Sequence, residues 1–284
     1  MTMFDTLRDR PMHVAPPLAP TDFDMPDPSL PRIRRLEALA ARAWPSRETV
    51  FDGTWAVRVC DHDTKRQNSI VPLDPNDSRD LDARIERARD RLLDASRRPT
   101  FRLTPLAAPR IDHALEDLGW DRIGRTHVMV ADLAALPPLR AAPSDLCRRL
   151  WIERLEAMGG VSSERRCGLA RTIERIATGT GPAAAGTGPA HLHSVSEDAN
   201  PAAAALAVHI GRDVGLMEVF TDPGRRGRGH ARRVVTQALA TARARGASRA
   251  WLQVEVENAP AIALYRSLGF SVQYDYHYRV APAS

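Results

Sequence analysis

The chain is short of several residue types, and each shortage excludes a class of protein. Lys65 is the only lysine among 40 cationic residues, so the net charge of +5 comes from arginines spread along the chain. A GC-rich genome explains this bias better than a nucleic-acid surface does, and we expect no nucleic-acid partner. The three cysteines lack metal-ligand spacing, which predicts unpaired thiols, no metal and a reducing compartment.

Long apolar runs are also missing. No segment approaches the roughly 20 apolar residues of a membrane-spanning helix, so we expect no membrane contact. Asp5 and Asp9 interrupt the arginines near the N-terminus, and no apolar signal-peptide core follows them. The expected location is therefore cytoplasmic. The 284 residues, 43% of them hydrophobic, are enough for two modest domains with sizeable cores.

What the chain does contain is a basic, glycine-rich segment between an apolar strand end and an amphipathic helix. It reads Val219-Phe220-Thr221-Asp222-Pro223-Gly224-Arg225-Arg226-Gly227-Arg228-Gly229-His230-Ala231. Apolar residues then recur with the period of a helix, at Val234, Val235, Ala238, Leu239 and Ala242. Backbone N–H groups at the start of such a helix point outward, with the positive end of the helix dipole behind them. This arrangement predicts an anion site suited to a pyrophosphate.

A second motif lies downstream of this helix. Residues 251–256 alternate in polarity as a strand does, Asn258 is a good N-cap, and Gly269 suits a helix end. Together the two segments resemble the GNAT superfamily of acetyl-CoA-dependent N-acyltransferases. The acetyl-CoA signature of that superfamily, Arg/Gln-x-x-Gly-x-Gly/Ala, is matched by residues 226–231. Its second motif is matched without gaps by Asn258, Ala261, Tyr265, Gly269 and Phe270.

The resemblance implies acetyl-CoA as the acyl donor and a primary amine, on a small molecule or a peptide, as the acceptor. It implies direct attack in a ternary complex, between splayed strands at 215–221 and 251–256. A backbone N–H near Val219 would polarise the thioester carbonyl. The residues that the resemblance assigns to acetyl-CoA binding are Val219, Phe220, Arg225, Arg226, Gly227, Arg228, Gly229, His230, Ala231, Asn258, Ala261 and Tyr265.

Two side chains are candidates for moving protons. Tyr265 is the candidate general acid, because a phenol of pKa about 10 can protonate a thiolate whose conjugate acid has a pKa near 8.5. The alternative is an amphipathic tyrosine in the core. Glu218 is the candidate base, because a lone carboxylate in an apolar strand is hard to bury without a purpose. The alternative is a salt bridge between Glu218 and an arginine.

An offset of 150 residues aligns two parts of the chain without a gap. Phe101–Thr104 lies over Trp251–Val254, and Leu118-Gly119-Trp120 lies over Leu268-Gly269-Phe270. We interpret this repeat as a duplicated domain. The predicted order is a flexible Pro-rich arm (1–30), a degenerate GNAT-like domain (31–135), a linker (136–143) and a catalytic GNAT domain (144–284). Each domain is expected to have an α+β or α/β fold, with a mixed, mostly antiparallel central sheet flanked by helices.

The first copy differs from the second where chemistry would occur. After Asp74-Pro75 it has no Gly-x-Gly loop, and Ala108 and Leu115 stand where the second copy has Asn258 and Tyr265. We therefore expect one acyl-CoA site per chain. The element Arg66-Gln67-Asn68-Ser69 also resembles one that recurs in a bacterial group of tandem acetyltransferases. Its alternative interpretation is a simple contact between a strand and a turn.

Several questions stay open at the level of sequence. The segment 179–188 is either a lid over the acceptor site or a surface insertion. The chain is either an active acetyltransferase or a non-catalytic acyl-CoA-binding regulatory module. It is either a monomer or a homodimer, and the acceptor cannot be read from the residues.

Overall fold

The computed structural model describes residues 29–61, 64–136, 147–178 and 190–283. Nearly all of the predicted arm (1–30) and linker (136–143), and the whole segment 179–188, lie outside the described residues. The predictions made for those segments therefore stay predictions.

The described chain folds into helices and strands whose bounds follow the sequence patterns closely. The amphipathic helix predicted after the glycine-rich loop is α6, which begins at His230, and the strand predicted over 251–256 is β9 (Arg249–Glu255). The elements are α1 (Leu30–Ala43), β1 (Glu48–Asp52), β2 (Trp55–Val59), β3 (Ser69–Pro72), α2 (Leu81–Asp94), β4 (Thr100–Leu103), α3 (Pro109–Asp117), β5 (Asp121–Asp132), α4 (Arg148–Ala157), α5 (Ser163–Thr178), β6 (Ala190–Glu197), β7 (Asn200–Ile210), β8 (Asp213–Thr221), a 3-10 turn (Pro223–Arg225), α6 (His230–Ala244), β9 (Arg249–Glu255), α7 (Ala259–Ser267) and β10 (Ser271–Val280).

All ten strands belong to one sheet, in the order β1-β2-β3-β4-β10-β5-β9-β8-β7-β6. Neighbouring strands are antiparallel except for the pairs β3/β4 and β8/β9, which are parallel. Helices flank the sheet, and their apolar faces form its core clusters. The predicted fold class, mixed α/β with a mostly antiparallel central sheet, is confirmed. The strands of the two halves join into a single sheet, a continuity that the sequence analysis did not predict.

The two halves are joined by an exchange of their last strands. Strand β10 lies between β4 and β5, and pairs with both of them. Strand β5 in turn pairs with β9 over seven residues, from Thr126↔Glu255 to Asp132↔Arg249. Each half therefore completes its part of the sheet with the last strand of the other half. The domain boundary expected at residues 136–143 therefore does not separate two sheets, because strands from both sides of it are hydrogen-bonded to each other. The boundary itself remains a prediction.

The 150-residue offset is visible in matching helix ends. Helices α3 and α7 have the same length, and each begins and ends 150 residues from the corresponding position of the other. Gly119 (φ 73°) and Gly269 (φ 80°) each follow the last turn in the left-handed conformation that glycine adopts without strain. The N–H of Trp120 donates to Leu115 O at 2.9 Å, and the N–H of Phe270 donates to Tyr265 O at 3.0 Å. The same chain reversal therefore leads into β5 and into β10.

A buried ion pair ties helix α1 to the middle of the sheet. The guanidinium of Arg102 on β4 donates to both carboxylate oxygens of Glu37 on α1, and both side chains are buried. Tyr274 on β10 donates its hydroxyl to Glu37 Oε1 at 2.6 Å. Arg102 also stacks on the ring of Tyr276, 3.8 Å from its centroid. The Glu37 carboxylate therefore joins α1 to β4 and to β10, the strand that comes from the other half.

We predict that Glu37→Ala lowers the free energy of unfolding by about 3–5 kcal/mol, because it leaves the Arg102 charge buried without its partner. Urea unfolding followed by circular dichroism measures the change. The matched control is Glu86→Ala, which removes an exposed pair with Arg89 and should change the stability by less than about 0.5 kcal/mol. Equal effects of the two variants would show that the buried pair contributes no more than a surface pair.

Candidate functional site

Strands β8 and β9 run together only at their first residues. Their parallel pairing covers Asp213↔Arg249 to Leu216↔Leu252, while β8 continues to Thr221 and β9 to Glu255. Among the described strands, β8 pairs only with β7 beyond Leu216, and β9 pairs only with β5 beyond Leu252. The gap that begins after Leu216 and Leu252 lies within the segments 215–221 and 251–256, for which the family resemblance implied splayed strands.

A β-bulge lies on β8 at the start of this gap. Ala204 pairs with Phe220 and Leu206 pairs with Met217, so Glu218 and Val219 together face a single residue of β7. Glu218 has φ 47°, a left-handed conformation that costs a non-glycine residue of order 1–3 kcal/mol. The bulge redirects the Glu218 side chain, and its Oε1 lies 3.4 Å from Nη2 of Arg66. The salt bridge that the sequence left open as an alternative is therefore present.

The segment around Arg66 lies at the junction of the two halves. Asn68 is buried and its Oδ1 accepts from the N–H of Cys60 at 2.7 Å, a contact between a turn and a strand end. Arg66 itself stacks over Trp44, with its Cζ 5.3 Å from the ring centroid. The sequence singled out this element but gave no indication that Arg66 meets Glu218, 152 residues away.

The glycine-rich loop leads from β8 into α6. Asp222 Oδ1 accepts from the N–H of Gly224 at 2.9 Å and fixes the first turn. Gly227 (φ 77°) and Gly229 (φ 79°) are left-handed, and a Cβ atom added to either would meet no other atom within 4 Å. The N–H of Arg233 is the first to bond back into the helix, to Gly229 O at 3.0 Å. The N–H groups of the first turn of α6 precede the intrahelical hydrogen bonds, and such groups favour an anionic partner.

The basic side chains of the loop do not all point the same way. Glu197, at the end of β6, accepts from Arg225 Nη1 at 2.8 Å and from Arg228 Nη1 at 2.9 Å. Desolvation would raise the pKa of Glu197, but the hydrogen bonds from these two arginines outweigh it and lower the pKa. His230 is buried, with Nε2 3.4 Å from Glu197 Oε1, whereas Arg226 is exposed. Glu197 was missed in the sequence, because it is 28 residues from Arg225 and belongs to no motif.

Helix α7 carries the second motif. Asn258 is its N-cap, with Oδ1 accepting from the N–H of Ala261 at 3.2 Å. Tyr265 is 6% exposed and belongs to the same core cluster as Leu252 and Val254 of β9. Burial raises the pKa of the Tyr265 phenol to about 12. The ring therefore packs as a core residue and keeps its proton at neutral pH, which agrees with both interpretations of this tyrosine.

In the first copy, a carboxylate of the protein occupies the turn that precedes the helix. Asp77 Oδ2 accepts from the backbone N–H of Thr54 at 2.9 Å and from its hydroxyl at 2.8 Å. Asp77 Oδ1 accepts from Arg84 Nη1 on α2 at 2.7 Å. The hydrogen bond from Arg84 is the main cause of a lowered pKa for Asp77. The Asp77 carboxylate thus ties the turn before α2 to Thr54 and to the Arg84 side chain.

Two classes of site are absent from the part of the chain that the structure describes. Within residues 29–61, 64–136, 147–178 and 190–283, no three His, Cys, Asp or Glu side chains are grouped so as to hold a metal ion. In the same ranges no helix has the length and apolar character needed to cross a bilayer.

Known proteins share this arrangement over most of their length. The uncharacterized N-acetyltransferase YobR of Bacillus subtilis is 25% identical over 255 residues, 87% of this chain and 98% of the relative. A GCN5-related N-acetyltransferase from Kribbella flavida superimposes with a TM-score of 0.63 at 18% identity, covering 88% of this chain and 96% of the other. A tandem GNAT protein from the clavulanic acid biosynthesis pathway superimposes with a TM-score of 0.56 at 14% identity, covering 88% of each chain.

Fold and relatives together define an acyltransferase of the GNAT type. The family described as "Probable histone acetyltransferase Rv0428c C-terminal" matches residues 31–279. The chain belongs to this family, and the match runs through both halves of the sheet.

We predict that Asp77→Asn destabilises the fold at pH 7 by about 1–2 kcal/mol, because it weakens charge-assisted hydrogen bonds. The native pKa of Asp77 lies below the unfolded value of about 3.8, so the carboxylate stabilises the fold above that pH. This stabilisation is lost as the pH falls through the native pKa. The difference between wild type and Asp77→Asn should therefore shrink below about pH 3.8.

Urea unfolding at a series of pH values measures that difference. Asp94→Asn, at an exposed position on the same helix, is the control and should change the stability by less than about 0.5 kcal/mol at pH 7. A difference for Asp77→Asn that stays constant between pH 7 and pH 3 would contradict the proposed role of the charge.

Proposed function

We propose that the chain transfers an acetyl group from acetyl-CoA to a primary amine, by direct attack in a ternary complex. One observation carries the proposal: the open N-terminus of α6, with two left-handed glycines, lies directly after the strand that diverges from β9. An anion site and a gap between strands thus adjoin each other. Membership of the acetyltransferase family supports the same reaction.

The loop residues fit the pyrophosphate of a coenzyme A donor. The N–H groups that precede Arg233 supply hydrogen bonds, and the exposed Arg226 adds positive charge. Gly227, Gly229 and Ala231 leave the backbone accessible. Arg225 and Arg228 donate to Glu197, so we assign them to shaping the loop and to its positive electrostatic potential. They contact the pyrophosphate directly only after they leave this carboxylate. Phe220, Val219, His230, Asn258 and Ala261 contribute through the backbone that they position.

Two side chains of the chain then move protons. The Tyr265 hydroxyl donates to the leaving thiolate, and it is protonated at neutral pH because burial raises its pKa. Glu218 takes the proton of the acceptor amine, after the amine has displaced Arg66 from its carboxylate. In this proposal, a backbone N–H near Val219 stabilises the oxygen of the tetrahedral intermediate. The bound donor supplies the activated acetyl group as a thioester.

We predict that Gly229→Glu abolishes acetyl-CoA binding, because a side chain and a negative charge would enter the space open at the start of α6. Isothermal titration calorimetry should give a stoichiometry near one for the wild type. Gly246→Glu is a matched control, because Gly246 ends the same helix with φ 91° and also has open space around its Cβ position. Both variants should lose similar stability, while only Gly229→Glu loses the donor. A stoichiometry near two would show that the first copy also binds.

We predict that Tyr265→Phe lowers turnover about 100-fold, the usual scale for one general acid, with little change in acetyl-CoA affinity. The ring keeps its packing and only the proton donor is removed. Release of CoA, measured over a range of pH, checks this. With a pKa of about 12, Tyr265 should cause no loss of wild-type turnover below about pH 10.

Other outcomes for Tyr265→Phe have clear meanings. Turnover at the wild-type rate would make the tyrosine structural and place the acid elsewhere. A wild-type protein that binds acetyl-CoA but acetylates none of a panel of amines, amino acids and peptides would favour the regulatory module instead.

A further inference from the structure

A cavity of about 150 Å³ lies between helix α1, the strands of the first half and the start of the gap between β8 and β9. Its walls are mainly apolar and include Ala40 of α1, Trp44 at the end of that helix, Ala56 of β2, Val71 of β3 and Phe51 of β1. Phe51 is 62% exposed, which makes it a rim residue. A cavity of this volume holds a group about the size of a benzene ring.

The cavity ends at the point where the two strands diverge. Met217 and Gln253, which line it, are the residues directly after the last paired positions of β8 and β9. Leu216 and Leu252 pack in the cluster with α6 and α7, whereas Met217 packs in the cluster with α1. Because side chains alternate along a strand, the cavity reaches the gap from the face of the sheet opposite α6 and α7. A molecule in the cavity can thus reach the same gap as the donor from the other side.

The charges around the cavity are unequal. Three guanidinium groups, those of Arg58, Arg66 and Arg102, stand against the two carboxylates of Glu37 and Glu218. The carboxylate of Glu37 is already paired with Arg102. Arg58 is buried and donates to the main-chain oxygens of Trp44 at 2.7 Å and Arg66 at 2.9 Å. The region therefore has an excess of one positive charge, which favours a ligand with an anionic group.

The pair formed by Arg66 and Glu218 determines how a ligand with both an anionic and a cationic group would be oriented. Arg66 lines the cavity, and its 3.4 Å contact with Glu218 places a positive and a negative group side by side, next to the gap. An ammonium and a carboxylate on one carbon atom are spaced to lie against such a pair, the carboxylate on Arg66 and the amine on Glu218. The left-handed bulge at Glu218 holds the acidic member at the gap.

We infer that the first half of the chain supplies the acceptor pocket, and that the acceptor is a free α-amino acid with a bulky apolar side chain. The side chain fills the cavity, and the zwitterionic head lies between Arg66 and Glu218. This inference rests on the proposed acetyl transfer. In the transfer, the amine nitrogen bonds to the acetyl carbon and the thioester C–S bond breaks. The bound ammonium loses one proton to solvent before the attack, and the nitrogen loses a second proton to Glu218 during it. The thiolate of CoA takes a proton from Tyr265, and proton exchange with solvent then restores both Tyr265 and Glu218.

The test uses binding and product formation as separate measurements. Calorimetry in the presence of CoA compares L-phenylalanine with phenethylamine, which lacks the carboxylate, and with L-alanine, which lacks the apolar group. L-Phenylalanine should bind at least tenfold more tightly than either. Mass spectrometry then compares N-acetyl product from these three amines and from a lysine-containing peptide.

Two variants test the two parts of the pocket. Ala56→Leu reduces the cavity and should weaken L-phenylalanine binding more than tenfold, whereas the exposed substitution Ala244→Leu should not. Arg66→Met should weaken L-phenylalanine binding about 10- to 100-fold without changing phenethylamine binding, whereas Arg89→Met should change neither. Arg66→Lys should restore part of the affinity. Thermal unfolding confirms that each variant is folded. Should Ala56→Leu fail to fold, the Arg66 variants still decide the question.

The outcomes separate this inference from the proposed function. L-Phenylalanine binding that depends on Ala56 and Arg66, without product, would support the pocket and contradict the acetyl transfer to it. Acetylation of the peptide, with no binding of L-phenylalanine, would support the transfer and overturn the amino-acid pocket. Equal binding of phenethylamine and L-phenylalanine, or binding that neither variant alters, would also overturn it.

Discussion

The hydrogen bonds of strand β10 are the constraint on which the rest of the molecule depends. On one side this strand pairs with β4 of the first half, and on the other with β5, which in turn pairs with β9. Tyr274 of the same strand donates to the carboxylate of Glu37 on α1. Strand β10 and the buried ion pair between Glu37 and Arg102 therefore hold α1 against the sheet.

The two similar halves differ in the turns that precede α2 and α6. The loop before α6 has two left-handed glycines, while the corresponding turn in the first half holds the carboxylate of Asp77 against Thr54 and Arg84. The strands of the first half and α1 line a cavity on the face of the sheet opposite α6 and α7. That only the second half binds an acyl-CoA donor remains a prediction.

Local chemistry was predictable from the sequence, and long-range pairing was not. Asn258 caps its helix and Gly269 ends it, because capping and left-handed conformation depend on neighbouring residues. The exchange of β5 and β10 could not be predicted, since both strands follow the same helix end and either could complete either half. The contact of Arg66 with Glu218 was equally hidden, because 152 residues separate them. The roles of the candidate site residues, including Tyr265 and Glu218, remain predictions.

The central position of β10 also bears on how the chain folds during synthesis. Residues 271–280 are made long after β4 and β5, yet the sheet order requires them between these two strands. On the ribosome the first half therefore has an unpaired edge at β4 until β10 emerges. Pairings of such high sequence separation fold slowly, and exposed strand edges favour aggregation in the interval. A molecular chaperone that shields this edge would act on the nascent chain, at a stage that the finished sheet no longer displays.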